Sequence, residues 1–199
     1  MIFKRLKPLL RVVLASAAIL FIADTCIAQD APKVKFATTA GEFVVEVYPD
    51  KAPKTVENFL QYVKDKHYDG TIFHRVIENF MIQGGGFDTK FAQKKTRPPV
   101  IHEGREALAK GGPKNSVGTL AMARTNDPQS ATAQFFINVN ENSFLDPNAQ
   151  QPGYTVFGKV VSGMDIIQKI KSTPTGSGGP FPSDVPKTPI LINSATLVK

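Results

Sequence analysis

The chain has 199 residues, a formal net charge of +7 and one cysteine. Its length fits one domain with a substantial core, and the lone thiol, Cys26, excludes an internal disulfide. Lys4, Arg5, Lys7 and Arg11 belong to an N-terminal leader; without residues 1–28 the charge is +4, too small a surplus to argue for a nucleic-acid partner.

Residues 1–28 read as a cleavable signal peptide. The basic start is followed by Val12–Ala23, an apolar core too short to cross roughly 30 Å of hydrocarbon as a helix. Cys26 and Ala28 are the small residues before a cut after Ala28. The expectation is an exported domain of residues 29–199 with no thiol and no stable membrane anchor.

Beyond the leader, Val34–Thr38 and Glu42–Tyr48 alternate apolar and polar residues about Ala40 and Gly41, which marks a hairpin. From Lys51 to Tyr68 the period becomes helical, with Pro53 in the first turn and Val56, Phe59, Leu60 and Val63 on one face. Strands are expected around Thr71–Val76, Phe80–Gln83, Val100–Ile101, Thr119–Arg124, Phe135–Asn138 and Thr155–Val160. A second helix is expected over Met164–Lys171, and a last strand over Ile190–Val198. Between them Pro174–Pro182 is so dense in Gly and Pro that a loop is expected. Composition by itself gives a mixed domain rich in β structure.

The most informative stretch is Phe73–Gly86, FHRVIENFMIQGGG, in which Arg75 is flanked by Phe73, Val76, Ile77, Phe80 and Met81. A guanidinium is always charged and costly to desolvate, so Arg75 is either exposed on a half-buried strand or aimed into a pocket. No lysine and hydroxyl pair follows Gly84, Gly85 and Gly86, so they are not a phosphate loop; they are expected to let the chain turn and pass close to other backbone. Three scattered histidines without cysteine partners give no metal site.

Four further motifs follow in order: GTLAMAR at Gly118–Arg124, QFFINV at Gln134–Val139, FLD at Phe144–Asp146 and YTVFGKV at Tyr154–Val160. Together the five resemble the cyclophilins, the peptidyl-prolyl cis/trans isomerases, from about Val34 to Val198, and within them the periplasmic members of Gram-negative bacteria. The resemblance implies a mainly β fold, a closed eight-stranded antiparallel barrel capped by two α-helices. A closed barrel has no free edge, so a monomer is expected. It also implies a periplasmic enzyme without metal or cofactor, whose partners are proline-containing unfolded or partly folded polypeptides.

Carried onto this chain, the family's catalytic arginine is Arg75, and the glutamine that orients it and touches substrate is Gln83. The apolar seat for the prolyl ring falls on Phe80, Met81, Phe136 and Leu145. Ala123 and Arg124 would hold the substrate backbone through main-chain groups, Gln134 would form the opposite wall, and His74 would support the site beside Arg75. Phe144 stands where the best-known eukaryotic members have tryptophan, and Tyr154 where they have histidine. Phenylalanine lacks the indole donor, so proline binding is expected to survive while cyclosporin binding is weak. The rival reading is a proline-peptide binding module or holdase chaperone with incidental turnover. Arg75 and Gln83 argue against it, since proline binding alone needs only the apolar seat.

Overall fold

The computed structural model describes residues 31–198; the expected leader, its cleavage after Ala28 and Cys26 lie outside the described residues. Lys33–Thr38 (β1) and Gly41–Val47 (β2) form the expected hairpin, in a register that pairs Phe36 with Phe43. These two rings stack at 5.0 Å between centroids and begin the core. Pro53–Lys64 (α1) follows, shorter than its periodicity predicts. Lys66, at φ 53°, breaks the helix, and Tyr68 lies instead in a buried turn with its hydroxyl donating to the Ala133 carbonyl at 2.9 Å.

The remaining barrel strands are Thr71–Ile77 (β3), Met81–Asp88 (β4), Thr119–Met122 (β5), Phe135–Asn138 (β6), Val156–Ser162 (β7) and, after the helix Met164–Lys171 (α3), Ile192–Leu197 near the C-terminus. A short helix that periodicity does not reveal, Gly104–Ala109 (α2), precedes β5. Two more strands, Thr175–Gly178 (β8) and Phe181–Pro186 (β9), form a separate two-stranded hairpin, so Ile192–Leu197 is β10. The eight-stranded sheet runs β10-β1-β2-β7-β5-β6-β4-β3, with every pairing antiparallel. It nearly closes on itself: Ile72 bridges Leu191, Phe73 N–H donates to the Ile190 carbonyl at 3.0 Å, and Gly70 N–H donates to the Ile192 carbonyl at 2.8 Å.

Two sequence expectations fail for identifiable reasons. Val100–Ile101 is not a strand: Pro98 and Pro99 have no N–H to offer a ladder, Val100 makes one backbone bond to Ala131, and Ile101 is exposed. Pro174–Pro182 is not simply loop. Gly179 takes the hairpin turn at φ 52°, and a two-stranded sheet consists of edges, where proline's missing donor is tolerated. Phe181 holds the hairpin down by packing edge-on against Phe87 at 5.2 Å.

The strands β4, β5, β6 and β7 carry two apolar faces. Alternate residues Ile82, Leu120, Phe135, Ile137 and Phe157 enter the main core with Phe36, Phe59, Tyr68 and Phe73, to which α1 and α3 add Val56, Val63, Ile167 and Ile170. Their neighbours Met81, Ala121, Phe136 and Val156 point the other way and form a second, smaller cluster. Period-two geometry requires this separation, because successive side chains on a strand face opposite sides. The second cluster is where chemistry-bearing residues assemble.

Candidate active site on the outer face of the sheet

Ile77, Phe80, Ala123, Leu145 and Tyr154 pack against the second cluster. A cleft of about 250 Å³ opens there, lined by Arg75, Phe80, Met81, Gln83, Ala123, Arg124, Phe136, Leu145 and Tyr154. Six separated segments thus meet at one place. Arg75 and Gln83 are cross-strand partners on β3 and β4, and Gln83 in turn faces Phe136 on β6. Phe80 ends the turn between β3 and β4, its N–H donating to the Ile77 carbonyl at 3.0 Å. Among the described residues no carboxylate lines the cleft, and Arg75 and Arg124 both do.

Of the residues that the resemblance singles out, three lie elsewhere. Gln134 belongs to an adjoining polar depression with Gln93, Thr125, Ser130 and Thr132, which shares Gln83, Ala123 and Arg124 with the cleft. Gln83 Nε2 donates to Gln134 Oε1 at 3.0 Å; among the described residues no side-chain hydrogen bond joins Gln83 to Arg75, so strand pairing sets those two side by side. Phe144 stands at the rim, 62% exposed, stacked on Phe80 with centroids 5.6 Å apart.

His74 does not reach the cleft. It is buried beneath the β8–β9 hairpin, packed against Phe87 at 4.7 Å and Phe181 at 5.3 Å, and among the described residues its Nδ1 has no hydrogen-bond partner. Burial lowers its pKa to about 4, with the Arg75 charge acting in the same direction and the Ile72 backbone opposing. It is therefore neutral at pH 7 and packs between Phe87 and Phe181. The unfolded chain binds a proton at His74 that the folded chain refuses. Its contribution to stability is complete above pH about 6.5 and is lost as pH falls toward 4, at up to about 1.4 kcal/mol per pH unit and about 3 kcal/mol in all. His67 and His102 are also shifted down, each mainly by burial, and deepen the same loss. Urea unfolding between pH 7 and pH 4 is expected to show this decline, and His74→Phe to flatten it; an unchanged pH dependence in the variant would refute the assignment.

A set of side chains that the motifs do not reveal shapes the pocket from behind. Asn142 Nδ2 donates to the Phe80 carbonyl at 2.8 Å and to Asn138 Oδ1 at 2.7 Å. Asn138 Nδ2 reaches Asn115 Oδ1 and Thr119 Oγ1, and both nitrogens of Asn115 donate to Asp146 Oδ1 at 2.8 and 3.0 Å. All four residues are buried, so each unmade bond would carry the full cost of desolvation. The network ties Phe80 to the Phe144–Asp146 turn. Glu103 acts similarly at the base: α1 has no side-chain cap of its own, and the buried Glu103 carboxylate accepts from Lys54 N–H, Thr55 N–H and Thr55 Oγ1.

The three glycines of β4 make room for side chains more than for backbone. At Gly86 a Cβ would stand 2.5 Å from the Gln134 side chain, so the glycine is what admits that residue beside Gln83. Among the described residues no three His, Cys, Asp or Glu side chains group as metal ligands, and no helix is long and apolar enough to cross a membrane.

Known proteins share the family and the fold of this chain. Residues 33–197 match the family described as cyclophilin type peptidyl-prolyl cis-trans isomerase/CLD. The chain is 51% identical over 167 residues to peptidyl-prolyl cis-trans isomerase B of Escherichia coli, covering 82% of this chain and 98% of that one. It is 44% identical over 193 residues to peptidyl-prolyl cis-trans isomerase A of Dickeya dadantii, covering 97% and 98%. A crystal structure of a Cryptosporidium parvum cyclophilin type isomerase shares the fold at a TM-score of 0.66 and 24% identity, covering 85% of this chain and 98% of that chain. With its barrel, its outer-face cleft and these relatives, the chain belongs to the cyclophilin-type peptidyl-prolyl cis-trans isomerases.

Proposed function

We propose that this chain speeds cis/trans isomerisation of X-Pro bonds in exported polypeptides, with Arg75 stabilising the twisted amide. The observation that carries the reading is the meeting, in one cleft, of a guanidinium with an apolar seat made by Phe80, Met81, Phe136 and Leu145. An X-Pro bond isomerises slowly because partial double-bond character opposes rotation, with a barrier of about 18 to 20 kcal/mol. No bond is made or broken. As the amide twists, resonance is lost and the prolyl nitrogen becomes a better acceptor, so a fixed donor beside it binds the twisted state more strongly than the planar one. The apolar seat holds the ring while the preceding carbonyl swings. Gln83 and Ala123, on the walls beside Arg75, are positioned to hold the flanking backbone. Turnover of an X-Pro peptide by the wild-type chain and by Arg75→Ala tests the reading.

Action in the periplasm, as a monomer, rests on the leader-like residues 1–28 and on a sheet that leaves little open edge. Protein isolated from the envelope fraction should have the intact mass of a chain starting at Gln29 and should sediment as one copy; a mass that retains the leader would oppose it. Cyclosporin is expected to inhibit weakly. Phe144 keeps an apolar rim over Phe80 but has no N–H to donate. In a side-by-side titration Phe144→Trp should inhibit at lower cyclosporin concentration than wild type, and equal inhibition would refute the role given to the missing donor.

A further inference from the structure

Arg124 carries the guanidinium that the cleft's apolar chemistry does not use. Its Nε and Nη2 fork onto one carbonyl, Gly153 O, at 3.2 and 2.8 Å, while Nη1 donates to Thr125 O at 2.8 Å. Its Cζ stands 4.5 Å from the centre of the Tyr154 ring, a cation over an aromatic face. Among the described residues no carboxylate pairs with it. A charge spent on the carbonyls of Gly153, Thr125 and, at 3.5 Å, Asn126, and on a ring, is a fastening between neighbouring loops.

What it fastens is one wall of the proline seat. The Tyr154 ring meets Phe136 edge-on at 5.5 Å, and Tyr154 N–H donates to the Leu145 carbonyl at 3.0 Å. Gly153 holds φ +65°, and a Cβ there would lie 2.3 Å from Pro147 N, so this segment is pressed onto the 145–147 backbone. His102 adds a second hold on the same Gly153 carbonyl: Nδ1 receives Gly104 N–H at 3.4 Å, which leaves the proton on Nε2 to donate to Gly153 O at 3.2 Å. Two side chains from different loops thus converge on one carbonyl, one residue before the ring that walls the pocket.

We infer that Arg124 is a positioning residue for substrate binding: its guanidinium locks Tyr154 against Phe136 and so sets the width of the proline seat. This rests on the isomerase reading of the same cleft. It assigns work to the Arg124 side chain, which the family resemblance leaves idle. A lysine cannot replace it, because an ammonium has neither the fork that meets one carbonyl twice nor a flat face to lie on the ring.

The test compares the full chain with Arg124→Lys, Arg124→Met, Tyr154→Ala and the double variant Arg124→Met with Tyr154→Ala on an Ala-Pro peptide. Loss of the charge-assisted bonds and the stacked cation is expected to raise KM about tenfold in both Arg124 variants while kcat falls less than about twofold. The double variant should match Tyr154→Ala, because the arginine acts through that ring. Wild-type KM in Arg124→Lys, or additive losses in the double variant, would overturn the inference. So would a change in thermal stability with KM unmoved. If the wild-type chain turned over no X-Pro peptide, the isomerase reading would fall instead. The same variants are then compared by the Kd of that peptide, measured by NMR titration, where the tenfold loss and its non-additivity remain the expected and decisive results.

Discussion

Arg75→Ala is expected to lower isomerase turnover by a factor of about 10² to 10³, equivalent to losing about 2.7 to 4 kcal/mol of transition-state stabilisation. The variant should fold normally: Arg75 forms no ion pair among the described residues, and it projects from β3 into the cleft and away from the main core. The loss should appear in kcat, since the donor gains strength only as the amide twists, and peptide affinity should change little. Arg75→Lys is expected to recover part of the rate, because a positive donor remains while the fixed plane of the guanidinium is gone. Isomerisation measured by exchange NMR on an X-Pro peptide reads turnover directly. Turnover near wild type in a folded Arg75→Ala chain would remove Arg75 from the mechanism and favour a proline-binding module whose activity is incidental.

A second large effect separates the two faces of β6. Phe135 is fully buried and touches four rings, Phe36 at 5.4 Å, Tyr68 at 5.4 Å, Phe59 at 6.2 Å and Phe73 at 6.2 Å between centroids. Phe135→Ala is expected to cost about 3 to 5 kcal/mol, combining lost transfer energy with a cavity that a closed barrel cannot collapse. For a domain of this size that lowers the melting temperature by roughly 6 to 20 °C. Its neighbour Phe136 belongs to the outer cluster and lines the cleft. Phe136→Ala should lose less stability, since its ring packs in the smaller cluster at the cleft and not among the four rings of the main core, and should raise the KM for proline peptides. Thermal melts and peptide kinetics on the pair give opposite patterns if the strand divides core from site in this way. Matching losses of stability and affinity in both variants would refute it.

These two residues show why some of the architecture was legible in advance. Phe73, Val76 and Ile77 around a single arginine announced either a pocket charge or an exposed one, and the β3–β4 register places Arg75 beside Gln83 in a cleft. The strands of QFFINV and GTLAM were legible as apolar runs, but their division between two clusters was not. A four-residue run buried on both faces has no polar alternation to report which side is which. The β8–β9 hairpin was hidden by the Gly and Pro content of Pro174–Pro182, because local propensity registers the missing donors and not the aromatic contact of Phe181 with Phe87 that holds the hairpin in place. His74 was misplaced by adjacency: the β3–β4 register shifts between Phe73 and Arg75, and beside that irregularity His74 packs under the hairpin against Phe87 and Phe181 while Arg75 enters the cleft.

By itself the sequence determined the hairpin of β1 and β2, the two longer helices, the order of the barrel strands along the chain, and the residues from which a proline seat and a guanidinium donor can be made. The elements follow from local period, which neighbours in the chain are enough to specify, whereas the proline seat follows from the family resemblance, since periodicity alone reads Phe80, Met81, Phe136 and Leu145 as ordinary core. Only the tertiary structure decided that Arg124 grips the Gly153 carbonyl and lies on Tyr154, that Asn115, Asn138, Asn142 and Asp146 form one buried chain of hydrogen bonds behind Phe80, and that Glu103 caps a helix beginning at Pro53. Except for Asn138 and Asn142, those partners lie far apart in sequence, and most are polar residues of kinds common in loops. Nothing local distinguishes an asparagine in water from one whose every donor is matched, because the match is made by barrel closure, which brings the loops together and takes the water away.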